Sequence, residues 1–251
     1  MKMSAYYNEH DEYLGDWLRA LIKKGLIPDG EVDTRSIVAV SPDDLRGFTQ
    51  CHFFAGIAGW AYACRLAGWP DDRPIWTGSC PCQPFSVAGN KTGRSDERHL
   101  WPAWFSLIGA IRPPVVMGEQ VAPAIGKGWL DEAFSDLEGV GYSCGAAIVP
   151  AVAVGAIHKR DRLWFVANTE RDEQSGRKQC SGAPGRVGRQ GQPFSWDTPW
   201  ETALAHFRNV DDGLPRRVGA TDAARNAVVP QVAAEIIKSF MEAYDGETIG
   251  F

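Results

Sequence analysis

Apolar residues recur at helical spacing over residues 8–25, where Tyr13, Leu14, Trp17, Leu18, Leu21 and Ile22 share one face and Gly25 offers a stop. The next stretch, "IPDGEVDTRSIVAVSPDDLRGF", reads as loops and short turns. "CHFF" (51–54) is a short apolar run of strand character. It is followed by the glycine turn "AGIAGW" and by a helical pattern in "WAYACRLAGW". A strand, a glycine turn and a helix in that order open a βα unit. "DRPIWTG" predicts a second short strand, and residues 98–111 a helix in which Pro102 fits only the first turn. "RPPVVMGEQV" predicts a strand ending at Glu119. "GWLDEAFSDLEGVGY" is amphipathic, with Leu130, Phe134 and Leu137 on one face. The apolar run "SCGAAIVPAVAVGA" and the strand "DRLWFVAN" come next. Residues 168–200 show no period, and a last helix places Val232, Ile236, Ile237 and Phe240 inward. This alternation predicts an α/β fold, its sheet mostly parallel with an antiparallel pair near the end.

Composition adds bounds. The 251 residues are 44 % hydrophobic, enough for one substantial core, and no apolar run is long enough to span a membrane. The first residues lack the apolar stretch of a signal peptide, which predicts a cytoplasmic protein. Six scattered cysteines then read as reduced thiols. They lack the paired spacing or histidine partner that zinc favours, so no metal is expected. The net charge of −5 argues mildly against a nucleic-acid binder. The local distribution differs: the Gly-, Ser- and Gln-rich stretch 171–192 holds Arg171, Arg177, Lys178, Arg186 and Arg189 against Asp172 and Glu173. On charge alone it reads as a solvated loop, with a phosphate-tracking loop as the alternative.

In an open parallel sheet, reactive groups gather where strands end. Four stretches stand there: the glycine turn after "HFF", "SCPCQPFS" after "IWTG", "GEQV" after "VVM", and "HKRDR" before "LWFVA". Each is weak alone. Their order carries more weight.

Together they resemble the DNA cytosine-5 methyltransferases. "FFAGIAGW" is similar to that family's cofactor motif, "PCQPFS" to its nucleophile motif, and "GEQV" to its Glu-Asn-Val motif, with Gln120 for the usual Asn. "HKRDR" resembles Gln-Arg-Arg-x-Arg, with His158 for Gln, and "RNAVVPQVAAEI" resembles the last motif, with Arg225 in its glycine position. The resemblance implies a Rossmann-like class I methyltransferase sheet with a small inserted target-recognition region. It implies S-adenosylmethionine as cofactor, held by Phe54, Gly56, Ile57, Gly59, Trp60, Asn226 and Val228. It makes Cys82 the nucleophile, Glu119 the acid that meets the base, and Arg162 the arginine beside it, with Arg160 as second choice. Cys80 is then a packing neighbour. Double-stranded DNA is the implied partner, contacted by Gln83, Ser86, Lys91, Arg94, Arg177, Lys178 and Arg186, with the target cytosine flipped out of the stack. Under this resemblance the basic stretch 171–192 reads as DNA contact. A monomer, in a bacterial cell or a phage-infected host, is the expected form.

The expected organisation is a helical extension over 1–50, a catalytic core over 51–167, a target-recognition insert over 168–205 and a returning core segment over 206–251. The resemblance breaks between Gly59 and Cys82. Full members carry two further strands there, with an acid for the ribose hydroxyls and an Asp for adenine, whereas here one helix and one strand fill the interval. Either the first 50 residues, DNA or a second subunit rebuilds that half of the pocket, or the second substrate has changed. The same Cys, Glu and Arg set also suits deamination or attack of carbon 5 on another electrophile. A catalytically dead DNA-binding remnant is the third reading.

Overall fold

The computed structural model describes residues 5–81, 100–156, 159–169 and 227–245. Seven strands form one sheet: β1 (Ala5–Asn8), β2 (Gly30–Asp33), β3 (Gln50–Phe53), β4 (Ile75–Gly78), β5 (Val115–Val121), β6 (Tyr142–Pro150) and β7 (Asp161–Thr169), in the spatial order β2-β1-β3-β4-β5-β7-β6. The first five run parallel, and β7 lies antiparallel between β5 and β6. The predicted α/β class and the antiparallel pair are both present.

Among the described residues, five α-helices cover the sheet: α1 (Glu12–Lys23), α2 (Gly59–Ala67), α3 (Trp101–Ile111), α4 (Trp129–Gly139) and α5 (Pro230–Asp245). On one face, Trp101, Trp104, Leu107 and Ile108 of α3 and Trp129, Ala133 and Leu137 of α4 pack on Phe53, Trp76, Val116 and Phe165. On the other, α2 and α5 bury Trp60, Cys64, Val232 and Ile237 against Ile75, Val115, Met117 and Trp164. The faces alternate along β1: Tyr6 enters the first cluster and Tyr7 the second side, where α1 supplies Trp17, Leu18 and Leu21.

Residues 1–50 require a correction. The sequence reading gives them a helical extension ahead of the core. The structure places one helix there, α1, between two strands that join the sheet. "AYYN" pairs in parallel with β3, and "GEVD" pairs in parallel with β1 at the edge. Asp11 caps α1 by accepting from the Tyr13 and Leu14 amides, and Gly25, at φ +68°, follows its end. A Tyr6 hydroxyl bond to Asp33 Oδ2 (2.6 Å) fastens β1 to β2, and Arg35, two residues after Asp33, pairs with the same carboxylate (2.6 Å). Two parallel strands thus join the sheet from upstream of the glycine turn.

Chain order places the switch of direction between β1 and β3. From β3 the chain proceeds to β4 and β5 on one side, and from β1 to β2 on the other. A crevice opens at such a switch, beyond the carboxyl ends of the strands.

Candidate active site

The crevice is a cleft of about 1300 Å³, more than a single small ligand ordinarily needs. Phe54, Gly56, Ile57, Gly59, Trp60, Glu119, Arg162 and Val228 all line it. Residues far apart in sequence thus meet in one cleft.

The turn after β3 is tightly wound. Phe54, Gly56 and Ala58 have φ of +51°, +54° and +73°. Left-handed backbone is unfavourable for Phe and Ala, and such strain is held where the surroundings fix it. Here the Ala55 amide donates to the Asn8 carbonyl (3.0 Å), and the Gly56 amide to Glu9 Oε2 (2.7 Å). The other Glu9 oxygen accepts from the Asp11 amide (3.0 Å). Gly59 must remain small, because a Cβ there would stand 3.1 Å from the Val228 Cβ.

Glu119 is 7 % exposed near the end of β5. Because β7 is antiparallel to β5, its first residues lie beside the last residues of β5, and Val121 pairs with Arg162. This register brings Arg162 Nε to 2.7 Å from Glu119 Oε1. Burial raises the Glu119 pKa. The positive charges of Arg162 and Arg160 and a hydrogen bond from Ser79 oppose the rise without cancelling it. Arg160, at φ +41°, donates to the Ala227 carbonyl (2.8 Å), and its pKa is lowered by burial and by Arg162. Arg162 is thus the arginine in contact with the acid, and Arg160 braces the segment leading to α5.

Gln120 points away from Glu119. Its Nε2 donates to the Cys80 carbonyl (3.1 Å) and its Oε1 accepts from the Val121 amide (2.9 Å). The residue that departs from Glu-Asn-Val therefore clamps the backbone two positions before Cys82. Cys80 is buried in the core, as its packing role implies. Among the described residues, none of Cys51, Cys64, Cys80 and Cys144 forms a disulfide, and no cluster of His, Cys, Asp or Glu is placed to hold a metal. Cys82, Asn226, Gln83, Ser86, Lys91, Arg94, Arg177, Lys178 and Arg186 lie outside the described residues, as do His158, Arg225 and residues 170–205 of the expected insert, whose first two residues, Asn168 and Thr169, belong to β7. Pro81, which precedes Cys82, lines the cleft.

Sequence reasoning missed two residues. Glu9 had a faint signal, an aromatic run followed at once by acids. Ser79 had none: it precedes the recognised motif and matters only because Trp60 and Glu119 reach it.

A doubly wound sheet with a strained turn at its switch point, and a buried acid–arginine pair across from it, defines a Rossmann-like α/β fold. The model of the C-5 cytosine-specific DNA methylases matches residues 52–202, and the chain belongs to that family. The type II methyltransferase M.AplI of Arthrospira platensis is 34 % identical over 104 residues, 41 % of this chain and 29 % of that protein. M.NgoMIV of Neisseria gonorrhoeae is 31 % identical over 105 residues, 39 % of this chain and 32 % of that protein. The matched segments span about a third or less of these relatives. The crystal structure of S. pombe Dnmt2 methyltransferase shares the fold, with a TM-score of 0.51 at 12 % identity over 96 % of this chain and 99 % of that one.

Proposed function

We propose that the protein is a DNA cytosine-5 methyltransferase, with S-adenosylmethionine as methyl donor and a cytosine flipped from double-stranded DNA as acceptor. The observation that carries this reading is the buried Glu119–Arg162 pair, set in the same cleft as the strained turn after β3 and as Pro81.

The residues present suit the cofactor. Each Glu9 oxygen already accepts one backbone amide, and each has a further lone pair for a ribose hydroxyl. Leu14, Ile37 and Tyr13 offer apolar and aromatic walls for a purine ring, while Gly56, Ile57, Gly59 and Trp60 bring backbone and ring close to the remainder. Bound there, S-adenosylmethionine supplies an electrophilic methyl group. The carboxylate lost from the interval between Gly59 and Cys82 is replaced by Glu9, the residue that follows β1. This weakens the case for a changed second substrate, which rested on the missing strands.

The protein's own residues act on the base. The Cys82 thiolate adds to carbon 6 of cytosine, and the ring electrons shift so that carbon 5 becomes nucleophilic. Glu119 in its acid form donates a hydrogen bond at N3, where negative charge develops, and accepts from the exocyclic amine. Arg162 holds the Glu119 carboxyl in place and contacts the base oxygen. After carbon 5 is alkylated, its proton leaves to a base, and the electron pair expels Cys82. Enclosure keeps water from Glu119 and raises its pKa, which favours the acid form.

The test is mass spectrometry of nucleosides from DNA incubated with the protein, with and without S-adenosylmethionine. The expected product is 5-methylcytosine, formed only with the cofactor and lost in Cys82→Ser. Deoxyuridine, or another base formed without the cofactor, would overturn the reading.

A further inference from the structure

We propose that Ser79 is a positioning residue that sets the orientation and the proton affinity of Glu119 through a hydrogen-bond chain starting at Trp60. The inference rests on the reading of Glu119 as the acid that meets the base.

Ser79 follows β4 directly and sits between two groups of unequal capability. An indole N–H donates and never accepts. Trp60 Nε1 lies 3.1 Å from Ser79 Oγ, so the serine oxygen accepts there. A hydroxyl has a single proton, and the Ser79 side chain is also hydrogen-bonded to Glu119. With Trp60 supplying one proton, the Ser79 proton is directed at the carboxylate. The chain therefore has one polarity, from indole to hydroxyl to carboxylate. Trp60 is itself held in place, because its ring packs edge-on against Trp164 with centroids 5.6 Å apart. Trp164 is the residue of β7 paired with Glu119 in the sheet register. The contacts close a loop from Glu119 through Ser79, Trp60 and Trp164 back to the strand beside Glu119.

Two charged groups face this carboxyl, Arg162 from β7 and Arg160 from the segment before it. Both favour the anion, whereas burial favours the acid. Ser79 is the neutral donor in that balance. Trp60 lies in the first turn of α2, just past the glycine turn. The chain thus ties the side of the cleft proposed for the cofactor to the acid proposed for the base.

The experiment is a pH titration followed by NMR on protein carrying carbon-13 at the glutamate side-chain carboxyl, with Glu119→Gln identifying the resonance. Ser79→Ala is expected to move the Glu119 midpoint upward by about one pH unit, the value of one hydrogen bond to a charged group. Ser79→Thr keeps the hydroxyl and is expected to restore the wild-type midpoint. An unmoved midpoint in Ser79→Ala, or one moved equally far in Ser79→Thr, overturns the proposal. The readout needs neither DNA nor cofactor. A wild-type protein that fails to methylate while the midpoint still moves would sink the functional reading and leave the role of Ser79 standing. An active protein with an unmoved midpoint would do the reverse.

Discussion

At the scale of single residues, Glu119 is the point where opposing forces meet. Burial raises its pKa above the ordinary carboxyl value, and Arg162 and Arg160 pull it back. The acid form is the one that assists addition, so methylation is expected to slow as pH rises through the folded pKa of Glu119. Arg162 stabilises the anion. Arg162→Gln should therefore shift that falling limb to higher pH while lowering the maximal rate about tenfold or more, which a pH–rate profile would show. Gln120 makes a different case. Its substitution by Ala leaves the Cys80 carbonyl and the Val121 amide without their partner, both close to the buried floor of the site. We expect a loss of about 1–3 kcal/mol in denaturant unfolding, together with slower covalent capture of a 5-fluorocytosine duplex.

At the scale of elements, β1 and β2 extend the sheet on the far side of β3. β1 contributes four buried residues and ends beside the turn after β3, which places Glu9 on the Gly56 amide. If Glu9 holds the ribose as proposed, Glu9→Ala should raise the KM for S-adenosylmethionine roughly tenfold or more, while DNA affinity in a gel-shift assay stays within about twofold. These two strands were illegible in sequence for physical reasons. "AYYN" is buried on both faces, so it shows no alternation, and it is too short for a run of apolar residues to register. "GEVD" is a polar edge strand whose pairing comes from β1. By contrast β3, β4, β5 and β7 are apolar runs bounded by turn residues. α1 and α2 carry one-sided apolar patterns closed by Gly25 and Gly68, both left-handed in the structure.

At the scale of the whole molecule, the same sheet borders the cleft and forms the core. His52, in the centre of β3, is 1 % exposed, stacks on Tyr7 of β1, and bonds to Thr77 of β4 at 2.7 Å. Burial lowers its pKa to about 3. The unfolded chain therefore binds a proton near pH 6.5 that the folded chain refuses, and stability falls as pH drops below that value. This group alone should cost about 2 kcal/mol between about pH 7 and pH 5, with a loss felt by three strands together. Urea unfolding at the two pH values would show the decrease, and His52→Gln should flatten the slope.

What the sequence determined by itself was local and chemical. Periodicity disclosed the helices and central strands. The motifs "PCQPFS", "GEQV" and "HKRDR" carried the resemblance to the DNA cytosine-5 methyltransferases, and that resemblance implied an attacking thiol, an acid and an arginine. Tertiary structure decided which residues meet. The antiparallel register of β7 selected Arg162 over Arg160 as the partner of Glu119. The parallel pairing of β1 with β3 turned an apparent N-terminal extension into half of the cleft. Such outcomes depend on strand order and register, which arise from pairing between segments far apart in the chain and leave no trace in the local pattern of either segment.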